Sequence, residues 1–338
     1  MKAVSLREPG VVEIIDVPEP EVGPGDVLLD IRYVGLCGSD LKAYQGGAAN
    51  LTYPRIPGHE IAALVKAVGE AVPESIAVGD RMTVSPYTAC GVCPACRVGR
   101  TNCCEFNQTL GVQRDGALSR WFSVPYTAVV RSEILTLEEL VLVEPMSVGY
   151  HAANRARISE IDTVLVIGAG TIGLGVIAAA ARKGATVIVA DIDDGKLGIA
   201  RGFGADITIN TLEQDALAVI RDLTKGEGVG VAIEAVGLPD TYRLAVDAVC
   251  FAGRVAYVGY ATKPVTYDST HFVRKELDIM GSRNALHEFP AVVQMIEKRE
   301  QPFTDLITRV YPFAEVEKAF ADWDATPGKF TKVVVEVG

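Results

Sequence analysis

An apolar run meets a glycine-rich turn at Thr163-Val164-Leu165-Val166-Ile167-Gly168-Ala169-Gly170-Thr171-Ile172-Gly173. Residues 163 to 167 are apolar or β-branched and read as a buried strand. Glycines at 168, 170 and 173 follow at once, and an alanine-rich helical run continues to Arg182. A G-x-G-x-x-G turn between strand and helix is the context in which this motif binds a dinucleotide. The glycines let the turn close. They also let the backbone reach a pyrophosphate at the helix N-terminus, where unpaired N–H groups and the dipole favour an anion. Thr171 and Ile172 belong to the same phosphate-facing turn.

The next strand candidate, Thr186–Ala190, runs into Asp191, placed to accept hydrogen bonds from ribose hydroxyls. A 2′-phosphate there meets Asp191, Asp193 and Asp194, with Lys196 as the nearby cation, so NAD is favoured over NADP. Further strand candidates are Val231–Val236, Arg254–Val258 and Leu277–Met280. Helix-length segments at about 171–183, 194–203, 213–224 and 240–250 lie between the strands. Such alternation means βαβ units and a doubly wound parallel sheet. The strand ends add Ala235, Val236, Val258, Gly259, Ser282 and Arg283 to the expected cofactor residues.

Upstream, residues 1 to about 145 are short apolar runs broken by Gly and Pro, as at Gly23-Pro24-Gly25 and Pro57-Gly58. That pattern suggests an antiparallel or barrel-like domain. The tail holds two helix candidates, Pro290–Lys298 and Ala314–Trp323, and a last strand, Lys332–Val337. The chain is read as an α/β protein of two domains: residues 1–145 with 289–338, and residues 146–288. At 338 residues it exceeds what one core usually serves.

Composition narrows the classes. Half of the residues, 49%, are hydrophobic and 22% are charged, which excludes a disordered or disulfide-scaffold chain. The net charge of −11 argues against a nucleic-acid backbone binder, which needs a basic face. The longest apolar stretch, Thr163–Ala181, is broken by glycines and reads as strand, turn and helix, not a membrane span. The opening MKAVSL lacks the charged-then-apolar pattern of a secretory signal, so a reducing, cytoplasmic location is expected.

Five of seven cysteines are clustered: Cys90, Cys93, Cys96, Cys103 and Cys104. In a reducing compartment such spacing means a metal more readily than disulfides. Cys90, Cys93 and Cys96 on a tight loop, with Cys103 or Cys104 as fourth thiolate, can enclose one zinc ion with no open position. Cys37, His59 and Glu144 are scattered, yet Cys, His and carboxylate are the ligand types of a zinc that keeps one position open. Cys250 falls on a helix candidate and reads as core; His151, on another helix candidate, reads as packed in the domain junction and not catalytic.

The pieces together resemble the zinc-dependent medium-chain dehydrogenases, the group that includes alcohol, sorbitol and threonine dehydrogenases. The resemblance runs nearly end to end. It is carried by Gly35-Leu36-Cys37-Gly38-Ser39-Asp40, Pro57-Gly58-His59-Glu60, Val78-Gly79-Asp80-Arg81-Met82, the cysteine lobe, Glu144-Pro145-Met146-Ser147-Val148-Gly149, the Gly168–Gly173 turn and Val258-Gly259. It implies a β-rich GroES-like catalytic domain and a Rossmann cofactor domain, with NAD⁺ and two zinc ions. The lobe zinc is implied at Cys90, Cys93, Cys96 and Cys104. The catalytic zinc is implied at Cys37, His59 and either or both of Glu60 and Glu144, with Ser39 as the hydroxyl that receives the substrate proton.

The look is nearest to bacterial dehydrogenases of polyols and sugar acids, such as L-galactonate and L-idonate 5-dehydrogenases, through Lys275–Asn284. A carboxylate-bearing substrate would suit Arg283, Arg114 or Asn284. Threonine dehydrogenase, a general secondary-alcohol dehydrogenase and a non-enzymatic dinucleotide-binding regulator are the competing readings. The family also implies a homodimer or homotetramer. One departure stands out: Lys42 occupies the place where the family's proton relay often has a histidine.

Overall fold

The computed structural model describes residues 1–48 and 51–338. The chain forms two compact units, Met1–Pro145 with Phe289–Gly338, and Met146–Glu288.

The first unit is β-rich. A hairpin of β1 (Lys2–Glu8) and β2 (Val11–Asp16) precedes the long β3 (Asp26–Leu36). Then come β4 (Glu60–Val68), β5 (Arg81–Val84), β6 (Trp121–Pro125) and β7 (Val129–Arg131). In β3, Val27, Leu29 and Ile31 alternate with more exposed neighbours and enter the core with Ile61, Ala63 and Val65 of β4. This is the period-two pattern of a sheet with one face buried.

The second unit carries β8 (Thr163–Ile167), β9 (Thr186–Asp191), β10 (Ile207–Asn210), β11 (Val229–Glu234), β12 (Val249–Tyr257) and β13 (Asp278–Gly281). All pairs are parallel, in the order β10-β9-β8-β11-β12-β13. The order reverses between β8 and β11, the switch point where doubly wound sheets bind ligands. Central strands such as Val164–Ile167 are buried without alternation, as a sheet covered on both faces requires. Helix Val143–Arg155 packs on helix Thr171–Arg182 at Gly149, where a Cβ would lie 2.4 Å from the Ile172 carbonyl oxygen.

The chain then returns to the first unit. There β14 (Ile307–Pro312) and β15 (Lys332–Glu336) complete a seven-stranded sheet of order β14-β15-β3-β4-β5-β7, with β6 also paired to β3. Two registers matter for function. Gly35 of β3 lies opposite Glu60 of β4, and Leu36 lies opposite Val333 of β15. The last strand therefore delivers Lys332 to the end of β3 that leads into Cys37.

Two sequence expectations shift. Cys250 lies on β12, not on a helix, because the preceding helix ends at Ala248 and Val249 is already extended. The structure also adds a short edge strand, β10 (Ile-Thr-Ile-Asn), that is absent from the strand candidates above. No helix among the described residues is long and apolar enough to cross a membrane.

Candidate active site and metal centres

Cys37 follows β3 directly and caps helix Gly38–Tyr44; its N–H donates to the Asp40 carboxylate at 2.8 Å. His59 and Glu60 sit at the start of β4. The ligand atoms of Cys37, His59 and Glu60 all lie within 4.8 Å of one another. Gly35 makes this possible: a Cβ there would stand 2.0 Å from Glu60 Oε2. The glycine opening the Gly-Leu-Cys motif is thus the space for the Glu60 carboxylate.

The surroundings are buried and acidic. Asp40 is 2%, Glu60 1% and Glu144 4% exposed. Lys332 donates to both Glu60 oxygens at 2.6 and 2.7 Å and to the Leu36 carbonyl at 3.2 Å. Glu144 accepts from the Tyr87 hydroxyl. Burial pushes Glu144 above the usual carboxylate range and drives the Tyr87 hydroxyl well above the usual phenol range. Burial also works against charge on His59, but Asp40, Cys37 and Glu144 outweigh it and hold the ring well above the usual histidine value.

Three buried carboxylates and a thiol thus surround one histidine and one lysine, and His59 Nδ1 is sealed from solvent without a hydrogen-bond partner. A buried acidic cluster with an orphaned imidazole nitrogen is a poor resting state for protein alone. It suits a divalent cation held by Cys37, His59 and a glutamate, with an open position left over. Ser39 is on the first turn of the helix that Cys37 caps. Lys42 is exposed on the same helix. Tyr87 and Lys332 were not anticipated from sequence.

The four-cysteine lobe is a separate centre. The sulfurs of Cys90, Cys93, Cys96 and Cys104 lie within 4.8 Å of one another, and the Cys90–Cys96 and Cys93–Cys104 pairs are each 4.0 Å apart. A tetrahedron with Zn–S bonds of about 2.3 Å has edges of about 3.8 Å, so the cage fits zinc. Gly91, at φ +75°, turns the loop. The Cys90 N–H points at the Cys104 sulfur and the Cys93 N–H at the Cys90 sulfur, both at 3.3 Å. Backbone N–H groups of Glu105 and Cys96 pull the Cys93 thiol down to about 6, while burial pushes Cys96 up to about 12. Four adjacent thiols do not all ionise without a cation to compensate them. Cys103 is outside the cage and meets the Arg100 guanidinium at 3.6 Å.

In the second unit the expected cofactor residues gather at the carboxyl ends of the strands. The three glycines do three jobs. Gly168 has φ +99°, Gly170 has nothing within 4 Å of where a Cβ would be, and a Cβ on Gly173 would come 1.9 Å from the Gly168 carbonyl. The turn closes, its middle stays open for a phosphate, and the helix packs close to the strand. Asp191 Oδ2 accepts from the Ala169 N–H at 2.7 Å, which sets its carboxylate over this turn. Oδ1 accepts from Ile192 and Asp193. Asp193 in turn caps the helix that carries Lys196. Ala235 and Val236 follow β11, Val258 and Gly259 follow β12, and Ser282, Arg283 and Asn284 follow β13. This half fits an NAD-type dinucleotide.

His151 is buried and meets Glu288 Oε1 at 2.8 Å through Nδ1. Arg114 belongs to the first unit, with Cys37 and His59, whereas Arg283 and Asn284 belong to the second.

Two family models match the chain. Residues 23–134 match the alcohol dehydrogenase GroES-like domain, and residues 171–298 match the zinc-binding dehydrogenase family. The chain is 33% identical to L-galactonate-5-dehydrogenase of Escherichia coli K12, covering 90% of this chain and 89% of that one. Its structure resembles that of an alcohol dehydrogenase, rspB, from E. coli CFT073 complexed with NADH (TM-score 0.92, 31% identity, 100% and 99% of the two chains). It also resembles galactitol-1-phosphate dehydrogenase of E. coli (TM-score 0.91, 30% identity, all of both chains). The chain therefore belongs to the zinc-dependent medium-chain dehydrogenases, oxidoreductases that join a GroES-like domain to a Rossmann domain and work with zinc and a nicotinamide dinucleotide.

Proposed function

We propose that the protein oxidises a secondary hydroxyl of a polyol or sugar acid to the ketone, with NAD⁺ as hydride acceptor. The observation that carries this reading is the convergence of the Cys37, His59 and Glu60 ligand atoms within 4.8 Å of one another, beside the buried carboxylates of Asp40 and Glu144. When bound, zinc supplies a Lewis acid that lowers the pKa of a hydroxyl, and the nicotinamide supplies the hydride acceptor.

The chain's own residues do the rest. Cys37 and His59 would hold the zinc together with Glu60 or Glu144. Asp40 orients the Cys37 end of the site through the Cys37 N–H. Ser39 Oγ takes the substrate proton. With Lys42 exposed in place of a relay histidine, that proton passes to water. The Gly168–Gly173 turn and the helix after it bind the pyrophosphate, and Asp191 holds the ribose hydroxyls and excludes a 2′-phosphate. Cys90, Cys93, Cys96 and Cys104 hold the structural zinc. A homodimer or homotetramer is part of the same reading, checked by light scattering.

The test is NAD⁺ reduction over sorbitol, aldonates, simple secondary alcohols and L-threonine, each with and without chelator. Turnover of polyols or aldonates that chelator abolishes supports the reading. Threonine as the only substrate, or activity indifferent to chelator, overturns it.

A further inference from the structure

Arg114 is a cation without an anion. Its Nε is sealed from solvent and has no hydrogen-bond partner, and among the described residues its side chain forms no ion pair. Burial pulls Arg114 below its ordinary value, with no carboxylate offsetting that effect. The carboxylate next along the chain is already committed: Asp115 accepts from Arg55 at 2.9 Å and from the Ile56 N–H at 3.2 Å. A partly desolvated guanidinium left unpaired costs stability, and such groups mark places where a ligand completes the pairing.

Its position is fixed against the metal-site strand. The loop holding Arg114 is stitched at both ends to the residues just before His59. A Cβ on Gly111 would stand 2.6 Å from the Gly58 nitrogen, and one on Gly116 would stand 2.4 Å from the Gly58 oxygen. The Gly116 N–H donates to the Ile56 carbonyl at 2.7 Å and the Ala117 N–H to the Gly58 carbonyl at 2.9 Å. These contacts leave the loop little freedom to relax around the unpaired charge.

The geometry points to Arg114 as the residue that receives the anionic group of the substrate, so that the enzyme prefers a polyol bearing a carboxylate or phosphate over a neutral one. This rests on the dehydrogenase reading above. The guanidinium fork suits either oxyanion through paired hydrogen bonds.

The experiment compares wild type, Arg114→Gln and Arg114→Lys as full-length, zinc-loaded protein. Sorbitol is the neutral probe, L-galactonate the carboxylate and galactitol 1-phosphate the phosphate. Steady-state kinetics is paired with calorimetric binding of each probe in the presence of NADH. The expected result is that wild type prefers one anionic probe. In R114Q that probe's kcat/KM and affinity fall roughly 10- to 100-fold, mostly through KM, while sorbitol changes less than about threefold and R114K recovers part of the loss. Whichever anion is preferred identifies the oxyanion. Equal losses on sorbitol and the anions, or unchanged anion binding in R114Q, overturn the proposal while leaving the dehydrogenase intact. A wild type that neither binds nor oxidises either anion, yet turns over neutral substrates, also overturns it. A wild type with no turnover of any probe, but with anion binding lost in R114Q, condemns the polyol or sugar-acid reading and keeps the anion site.

Discussion

Replacing Lys332 by Met isolates the ion pair beneath the metal cluster. Lys332 and Glu60 side chains are 4% and 1% exposed, and the pair is bidentate at 2.6 and 2.7 Å. Deleting the ammonium leaves a buried carboxylate beside Glu144 and Asp40 with no cation of its own. Breaking a buried pair in this way costs about 3–5 kcal/mol. At about 2–4 °C per kcal/mol for a large domain, the midpoint of that unit falls by roughly 10 °C. Calorimetry in chelator measures it. Removing both charges together, Lys332→Met with Glu60→Gln, restores much of the loss, because no uncompensated charge remains. Zinc also narrows the deficit of the single variant, since the ion offers Glu60 a new counter-charge. A midpoint drop worth less than about 1 kcal/mol, or a double variant no more stable than the single one, would refute the reasoning.

Two further outcomes are expected. Asp191→Ala weakens NAD⁺ about tenfold or more, since hydrogen bonds to a charged group are lost, and narrows the preference over NADP⁺; fluorescence titration with both reduced cofactors checks it, and an unchanged preference removes Asp191 as the selector. Glu288 accepts from His151, Asn154 and the Leu286 and His287 N–H groups. Despite the opposing effect of burial, these partners lower it from 4.5 to about 2. A depressed carboxylate contributes fully above its unfolded value and is lost as pH falls, so roughly 3 kcal/mol disappears between about pH 4.5 and 2. Glu288→Gln flattens that part of the acid-unfolding curve; an unchanged curve contradicts the assignment.

What sequence could reveal here follows from how local each feature is. The Gly168–Gly173 turn and the cysteine lobe are short-range motifs whose geometry is set within a few residues, and both are legible at once. Cys37, His59, Glu60 and Glu144 are each unremarkable alone and became a site through the family resemblance. Lys332 was invisible because the strand pairing of β15 with β3 brings it 272 residues to Glu60. Its only trace is a lysine placed directly before three valines in Lys332-Val-Val-Val-Glu336. Tyr87 reaches Glu144 across 57 residues and left no pattern. Arg114 and Arg283 looked alike in sequence; the structure separates them by unit and by the company Arg114 lacks.

Zinc content by plasma emission, measured on wild type, Cys37→Ala and Cys93→Ser together with NADH affinity, decides whether two zinc ions occupy two different cages, the catalytic one at Cys37. Two ions per chain are expected in wild type. Cys37→Ala keeps one ion and the wild-type NADH affinity but loses turnover. Cys93→Ser loses the other ion and thermal stability. Two ions and undiminished turnover in Cys37→Ala would contradict that arrangement.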